Sequence, residues 1–140
     1  MNLQQTAALL FDLLVQQRTA LEKLSLELSQ GESGALLYLS THTNGIPQNE
    51  LSSHLGISTP RVTAIVNTLQ QKGLLTKAPD QTDRRKTRLH ITPKGTTTIE
   101  HKKQQAMDII FHVLRNLTPN EIENYIHLLK KIQHIMEESS

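Results

Sequence analysis

Near the middle of the chain, Asp83-Arg84-Arg85-Lys86 sets three adjacent cations behind one carboxylate. Neighbouring like charges repel, and an exposed ion pair returns only about 0–1 kcal/mol to a fold. Such a run suits a polyanion outside the fold, whose phosphates attract guanidinium and ammonium groups alike. A second group has a different chemistry. Along a stretch with helical period, Val62, Ile65, Val66 and Leu69 share one face. Pro60, Ala64, Asn67 and Gln71 lie opposite, flanked by Arg61, Thr63 and Thr68. The apolar face is core. The other combines small side chains with amide, hydroxyl and guanidinium groups, which is what reading base edges in a groove requires.

Other chemistries are poorly served. Seven histidines (His42, His54, His90, His101, His112, His127 and His134) raise the question of a metal. His101 and His112 return to nearly the same helix face, but ~16 Å apart, too far to share an ion. A site would need Glu32, His42 or Glu100 from another element, and scattered histidines are the commoner arrangement, so no metal is expected. No cofactor is expected either. With no cysteine in the sequence, disulfides, thiolate metal sites and thiol-based oxidant sensing are excluded. No nucleophile stands beside a base, no glycine-rich phosphate loop occurs and no carboxylate pair is suggested, so an enzyme is not expected.

Charge is unevenly placed. From Lys72 to Lys103 nine cations (Lys72, Lys77, Arg84, Arg85, Lys86, Arg88, Lys94, Lys102 and Lys103) face only Asp80, Asp83 and Glu100. With a net charge of +2 overall, the rest of the chain is acidic. One part of the molecule is thus suited to a polyphosphate and the rest is not.

The elements that must position these groups follow from periodicity. Leu3, Ala7, Leu10, Leu14, Gln17, Leu21, Leu24 and Leu28 recur at alternating steps of four and three, predicting one long amphipathic helix over 3–28. So long a helix would project beyond a small core, and part of its seam would need another chain. Gly31 and Gly34 are expected to mark its end. A shorter helix follows around Ala35–Leu39 and stops at Asn44-Gly45. Pro47 opens a helix over 48–55 that Gly56 closes, and Ser58 caps another over 59–72 that Gly73 closes. The period then changes. Leu74–Lys77 and Arg88–Thr92 read as a hairpin with the cationic run at its tip. Thr92-Pro93 starts a long helix to about Asn116, and Thr118-Pro119-Asn120-Glu121 is a capping box opening a final helix, with Ile122, Ile126, Leu129, Ile132 and Met136 on one face.

Two short helices joined at a glycine turn over 48–71 have the layout of a helix-turn-helix, whose second helix enters the major groove. With the hairpin over 74–92 beside it, the fold class is mainly α with a small β-hairpin wing: a winged helix-turn-helix over 35–92. A single domain of 1–140 is expected. The expected interface with double-stranded DNA comprises Gln48, Asn49, Ser58, Thr59, Pro60, Arg61, Thr63, Ala64 and Asn67, with Arg84, Arg85, Lys86 and Thr87 on the hairpin. Arg84 and Lys86 would meet phosphates. Asp83 would hold one arginine by a local salt bridge, and Arg85 would reach deepest, into a minor groove whose potential attracts arginine.

The run from Gln48 to Gly95 resembles the MarR (multiple antibiotic resistance regulator) family of winged-helix repressors. The motifs are Leu51-Ser52-Ser53-His54-Leu55-Gly56-Ile57-Ser58, Val62-Thr63-Ala64-Ile65-Val66-Asn67-Thr68-Leu69-Gln70-Gln71-Lys72-Gly73-Leu74-Leu75, Asp83-Arg84-Arg85, and Leu89-His90-Ile91-Thr92-Pro93-Lys94-Gly95. Leu117-Thr118-Pro119-Asn120-Glu121 is similar to the start of the family's last helix. The resemblance implies a homodimer whose first and last two helices, over 1–30 and 93–138, interlock to serve dimerisation, and a pseudo-palindromic operator. It also implies the wing's aspartate-x-arginine at Asp83 and Arg85, repression of nearby genes, and a small-molecule effector pocket lined by residues such as Leu14, Tyr38 and His42. At Ala64 many relatives carry a larger polar or basic residue, which shifts base reading toward Thr59, Arg61, Thr63 and Asn67. The alternative is a winged helix used for contact with another protein. The N-terminal stretch lacks a basic region and a small-residue cleavage site, and no apolar run nears the ~20 residues that span a bilayer, so a cytoplasmic protein with no membrane partner is expected.

Overall fold

Thr19 divides the N-terminal apolar run in two. In the computed structural model, which describes residues 2–16 and 19–140, helix α1 spans Leu3–Val15 and helix α2 spans Ala20–Ser29. The single helix expected over 3–28 is therefore corrected. Thr19 is extended (φ −70°, ψ 164°) and its hydroxyl accepts from the Glu22 amide at 3.1 Å, so the α2 N-terminus is capped rather than continued. Gln17, a position of the expected seam, lies outside the described residues. Asn2 and Gln5 close α1 with a capping box.

Of the two glycines expected to end the N-terminal helical run, Gly31 follows the α2 C-cap Gln30 with a left-handed φ of +59°, whereas Gly34 acts differently. Helix α3 spans Gly31–Ser40, so Gly34 lies inside a helix instead of ending one. A Cβ there would sit 2.8 Å from the Ser29 backbone carbon, so hydrogen is the only substituent this tight joint admits. Strand β1 (Ile46–Pro47), absent from the sequence reading, precedes helix α4 (Gln48–Leu55) and helix α5 (Thr59–Gln71). The α4–α5 turn forms as expected: Gly56 is left-handed at φ +63°, the Ser52 hydroxyl donates to the Ile57 carbonyl, and Ser58 accepts from the Arg61 amide.

Strands β2 (Leu75–Pro79) and β3 (Thr87–Ile91) form the hairpin, and β3 is central in a three-stranded antiparallel sheet of order β1-β3-β2. Ile46 pairs with Leu89, Leu75 with Ile91 and Pro79 with Thr87. Helix α6 (Pro93–Arg115) opens with the Thr92 hydroxyl accepting from the Gly95 amide at 3.0 Å, and helix α7 (Pro119–Glu138) opens with the Thr118–Glu121 capping box.

The chain divides into two compact units, Met1–Ala106 and Met107–Ser140. The core of the first lies under the helix-turn-helix: Leu36, Leu39, Leu51, Val62, Val66, Leu69, Leu75, Leu89 and Ile99 are all buried. Burial on this scale, at about 25 cal/mol per Å² of apolar surface, fixes the face of α5 that turns inward and hence the face left outward. Helix α1 buries none of its residues, and Phe11, Leu13 and Leu14 are each more than 60% exposed. In the second unit α7 likewise buries nothing and exposes Ile126, Leu129, Ile132 and Met136. Among the described residues no helix is long and apolar enough to cross a membrane.

Candidate nucleic-acid interface

The wing tip is organised by one buried carboxylate. Asp80 Oδ1 accepts from the Thr82 amide and hydroxyl, each at 2.8 Å, and from the Asp83 amide at 3.4 Å. The Asp80 amide in turn donates to the Lys86 carbonyl at 2.9 Å and closes the loop. The Thr82 hydrogen bonds, with the nearby Arg88 charge, hold the Asp80 carboxyl below its ordinary pKa despite burial. Arg88 ties the wing base to the turn before β1, donating to the Asn44 and Gly45 carbonyls at 3.2 and 3.1 Å and reaching Asp80 at 3.5 Å.

Beyond this base Asp83 grips Arg85 three times, from the backbone amide and Nε at 3.1 Å and from the second guanidinium nitrogen at 3.3 Å. Those Arg85 bonds also lower the Asp83 pKa. The Arg85 side chain nevertheless stays 91% exposed, a charge held in place yet fully presented. Among the described residues the exposed Arg84 and Lys86 side chains make no hydrogen bond or ion pair, although the Lys86 charge helps to lower the Asp83 pKa.

Several other cations of the 72–103 stretch are engaged internally, which the sequence count did not separate. Lys72 pairs with Glu32 at 2.7 Å, Lys102 bonds Glu27 and Ser33, and Lys94 donates to the Lys72 carbonyl at 2.9 Å. The wing tip therefore holds three adjacent outward cations, Arg84, Arg85 and Lys86, while Lys103 is exposed separately on α6.

Gln48, Asn49, Thr59, Lys86 and Thr87, all expected at the interface, line one open cleft of about 370 Å³ with Ser52 and Val62. The first turn of α4 faces it, and Pro47 supplies no side-chain cap there, leaving backbone N–H groups for an anion. Gln48 Nε2 donates to the Thr63 hydroxyl at 3.2 Å, bridging the two helices, while that hydroxyl donates back to the Thr59 carbonyl. Pro60, Ala64 and Asn67 are exposed on the outer face of α5, and Ser58 is used as its cap. Arg61 is set apart, lining a groove with Lys23, Glu27, Glu32, Lys72 and Lys102.

Two residues were missed in the sequence. Ser52 follows Asn49 by one turn, so helical spacing could have placed it in the cleft. Lys77, on β2, donates to Asn67 Oδ1, a contact that depends on how β2 packs against α5.

Of the residues expected around an effector, Tyr38 and His42 meet: their rings lie 4.2 Å apart, and His42 Nδ1 is 2.7 Å from the Tyr38 carbonyl. Tyr38 also stacks on His54 at 3.9 Å, and its hydroxyl donates to Glu50 at 2.9 Å, which raises the phenol pKa. Leu14 is exposed on α1 and takes no part in this stack. No three histidine, aspartate or glutamate side chains converge as a metal site would require, among the described residues.

The family model described as "MarR family" matches residues 26–86, from the end of α2 to the wing tip. That match covers the helix-turn-helix and the wing through its tip, and the similarity to the family model is confined to this segment. A curated relative from Thauera aromatica, provisionally named a transcriptional regulatory protein for the hcr operon, is 28% identical over 97 residues. That match covers 69% of this chain but 58% of the relative, so the chain spans less than two thirds of that protein's length. The fold is also that of MepR, a transcription regulator of the Staphylococcus aureus multidrug efflux pump MepA. The TM-score is 0.67 at 20% identity, covering 83% of this chain and 89% of that one. MepR in complex with DNA aligns at a TM-score of 0.61 and 22% identity over 75% of this chain and 77% of its own, and MepR bound to ethidium bromide at 0.59 and 23% over 75% and 76%. The segment that matches the family model thus contains α4, α5 and the whole cationic loop.

Proposed function

We propose that this chain is a MarR-type, sequence-specific DNA-binding transcriptional regulator that acts as a homodimer and represses genes near its own. The observation that carries the reading is the joining of α4, α5 and the wing tip around one open cleft, with the exposed Arg84 and Lys86 and the braced Arg85 beside it. Backbone N–H groups and cations position a duplex, and the outer face of α5 reads base edges. Pro60, Ala64 and Asn67 belong to that outer face, with Thr59, Arg61 and Thr63 at its margins.

The apolar faces of α1 and α7 support the homodimer. Soluble monomers rarely expose contiguous apolar patches beyond a few hundred Å², and each of these helices buries nothing by itself. Two heads about one DNA turn apart would then meet a pseudo-palindromic site. In this arrangement 1–30 and 93–138 are the dimerisation segments and 35–92 the DNA-binding head. MepR's structures with DNA and with ethidium support a ligand-responsive role. The Tyr38–His42 stack is the part of the expected effector site with a defined shape, and Leu14 would join it only in the dimer.

The test is a selection of genomic fragments on the purified protein. A shared motif with two-fold symmetry, including a site beside the protein's own gene, is the expected result. Fragments with no common motif, together with no salt-dependent duplex binding, would favour a winged helix that contacts another protein.

A further inference from the structure

Lys77 fixes which hydrogen-bonding groups α5 offers to a base. An asparagine amide carries one acceptor oxygen and one NH₂ donor, and either can face outward, whereas a lysine ammonium only donates. Lys77 Nζ donates to Asn67 Oδ1, so the amide is oriented with its oxygen toward β2 and its two N–H bonds away from it. Asn67 is exposed on the outer face of α5, and Lys77 is half-buried at the base of the wing.

A free asparagine pairs with adenine in the major groove, giving one hydrogen bond to N7 and accepting one from N6. With Oδ1 held by an ammonium, an incoming amino group would approach a cation, while the remaining Nζ and Nδ2 protons form a surface of donors alone. Guanine presents two adjacent acceptors, O6 and N7, and suits that surface. We infer that Lys77 and Asn67 act as one composite donor that reads guanine, with Lys77 as the specificity-determining partner. On the other flank of α5 Gln48 donates to Thr63 through Nε2, and its side-chain carbonyl oxygen has no partner among the described residues, so the two edges of the helix differ in hydrogen-bonding character.

The inference rests on the DNA-binding reading and can be tested separately from it. Selection from a random duplex library would be run with the wild-type chain, Lys77→Met, Lys77→Arg and Asn67→Ala, each verified as folded by thermal melting. The wild type should return a guanine at one symmetric position in each half-site. Lys77→Met should move that position toward adenine by about tenfold in relative enrichment, the order of discrimination a bidentate contact supplies, and leave the other positions unchanged. Lys77→Arg, still only a donor, should retain guanine, and Asn67→Ala should lose preference there. A Lys77→Met motif identical to wild type, with uniformly weaker binding and a smaller salt slope, would make Lys77 a phosphate contact and overturn the inference while leaving the DNA-binding reading intact. A wild-type selection that returns no motif would remove that reading and this inference together.

Discussion

Gly95→Ala should destabilise the chain although the substitution is made in a helix, where exchanging glycine for alanine ordinarily gains about 0.5–1 kcal/mol. Gly95 is buried in the first turn of α6, and a Cβ there would lie 2.1 Å from the Leu74 carbonyl oxygen and 2.8 Å from Ile91 Cγ1. Backbone, rather than the end of a flexible side chain, must yield by roughly 1 Å to restore van der Waals distance. The Leu74 carbonyl already accepts from the Thr92 amide at 3.1 Å, and such a shift takes that bond beyond useful length. Losing it costs about 1 kcal/mol and the overpacking a further ~1–3, against the small helical gain. The net is on the order of 2–3 kcal/mol, and at roughly 3–5 °C per kcal/mol for a chain of this size Tm should fall by about 10 °C. Thermal unfolding followed by circular dichroism measures it. A Tm equal to or above wild type would refute the claim that α6 docks on the β2 entry through this glycine.

Acid should loosen the wing only at low pH. The Asp80 and Asp83 pKa values are depressed from the ordinary 3.8, so their contribution is complete above that value and is lost as pH falls through the folded-state values. The Thr82 amide resonance, followed by NMR, should titrate with a midpoint below 3.8, and a midpoint at or above it would contradict the hydrogen-bonding account. Asp83→Ala should weaken operator binding by a few-fold while leaving its salt slope nearly unchanged, because the Arg85 charge remains and only its bracing is lost; a slope reduced by one or more would show that Asp83 does more than brace. Ile126→Asp with Leu129→Asp should give aggregated or unfolded chain by light scattering and circular dichroism, since α7 buries neither residue by itself. A well-folded, soluble monomer would contradict the dimer.

The helix-turn-helix was legible because its signals are local. Gly56 supplies a left-handed turn, Ser58 caps α5, and the spacing of Val62, Val66 and Leu69 sets its inward face. The wing was legible through its change of period and its cationic tip. What escaped depends on contacts between distant segments. Pro47 hides a strand of two residues that exists only by pairing with β3. Gly34 looks like a helix terminator until the Ser29 backbone is placed against it. The break before α2 was overlooked because the heptad spacing continues across it, while Thr19 offers only a hydroxyl as its signal. Charge counting treated Lys72, Lys102 and Arg88 as equals of Arg84, although Glu32, Glu27 and Asp80 occupy them.

The central claim is that the wing and α5 together hold a DNA duplex. Binding of an operator-containing duplex, titrated over a range of salt concentrations by fluorescence anisotropy, tests it most directly when wild type is compared with Arg85→Ala. The prediction is steeply salt-dependent binding by the wild type, with affinity at least tenfold weaker in the variant and a log–log salt slope reduced by about one for each wing engaged. Equal affinity and equal slope in the two proteins would contradict it.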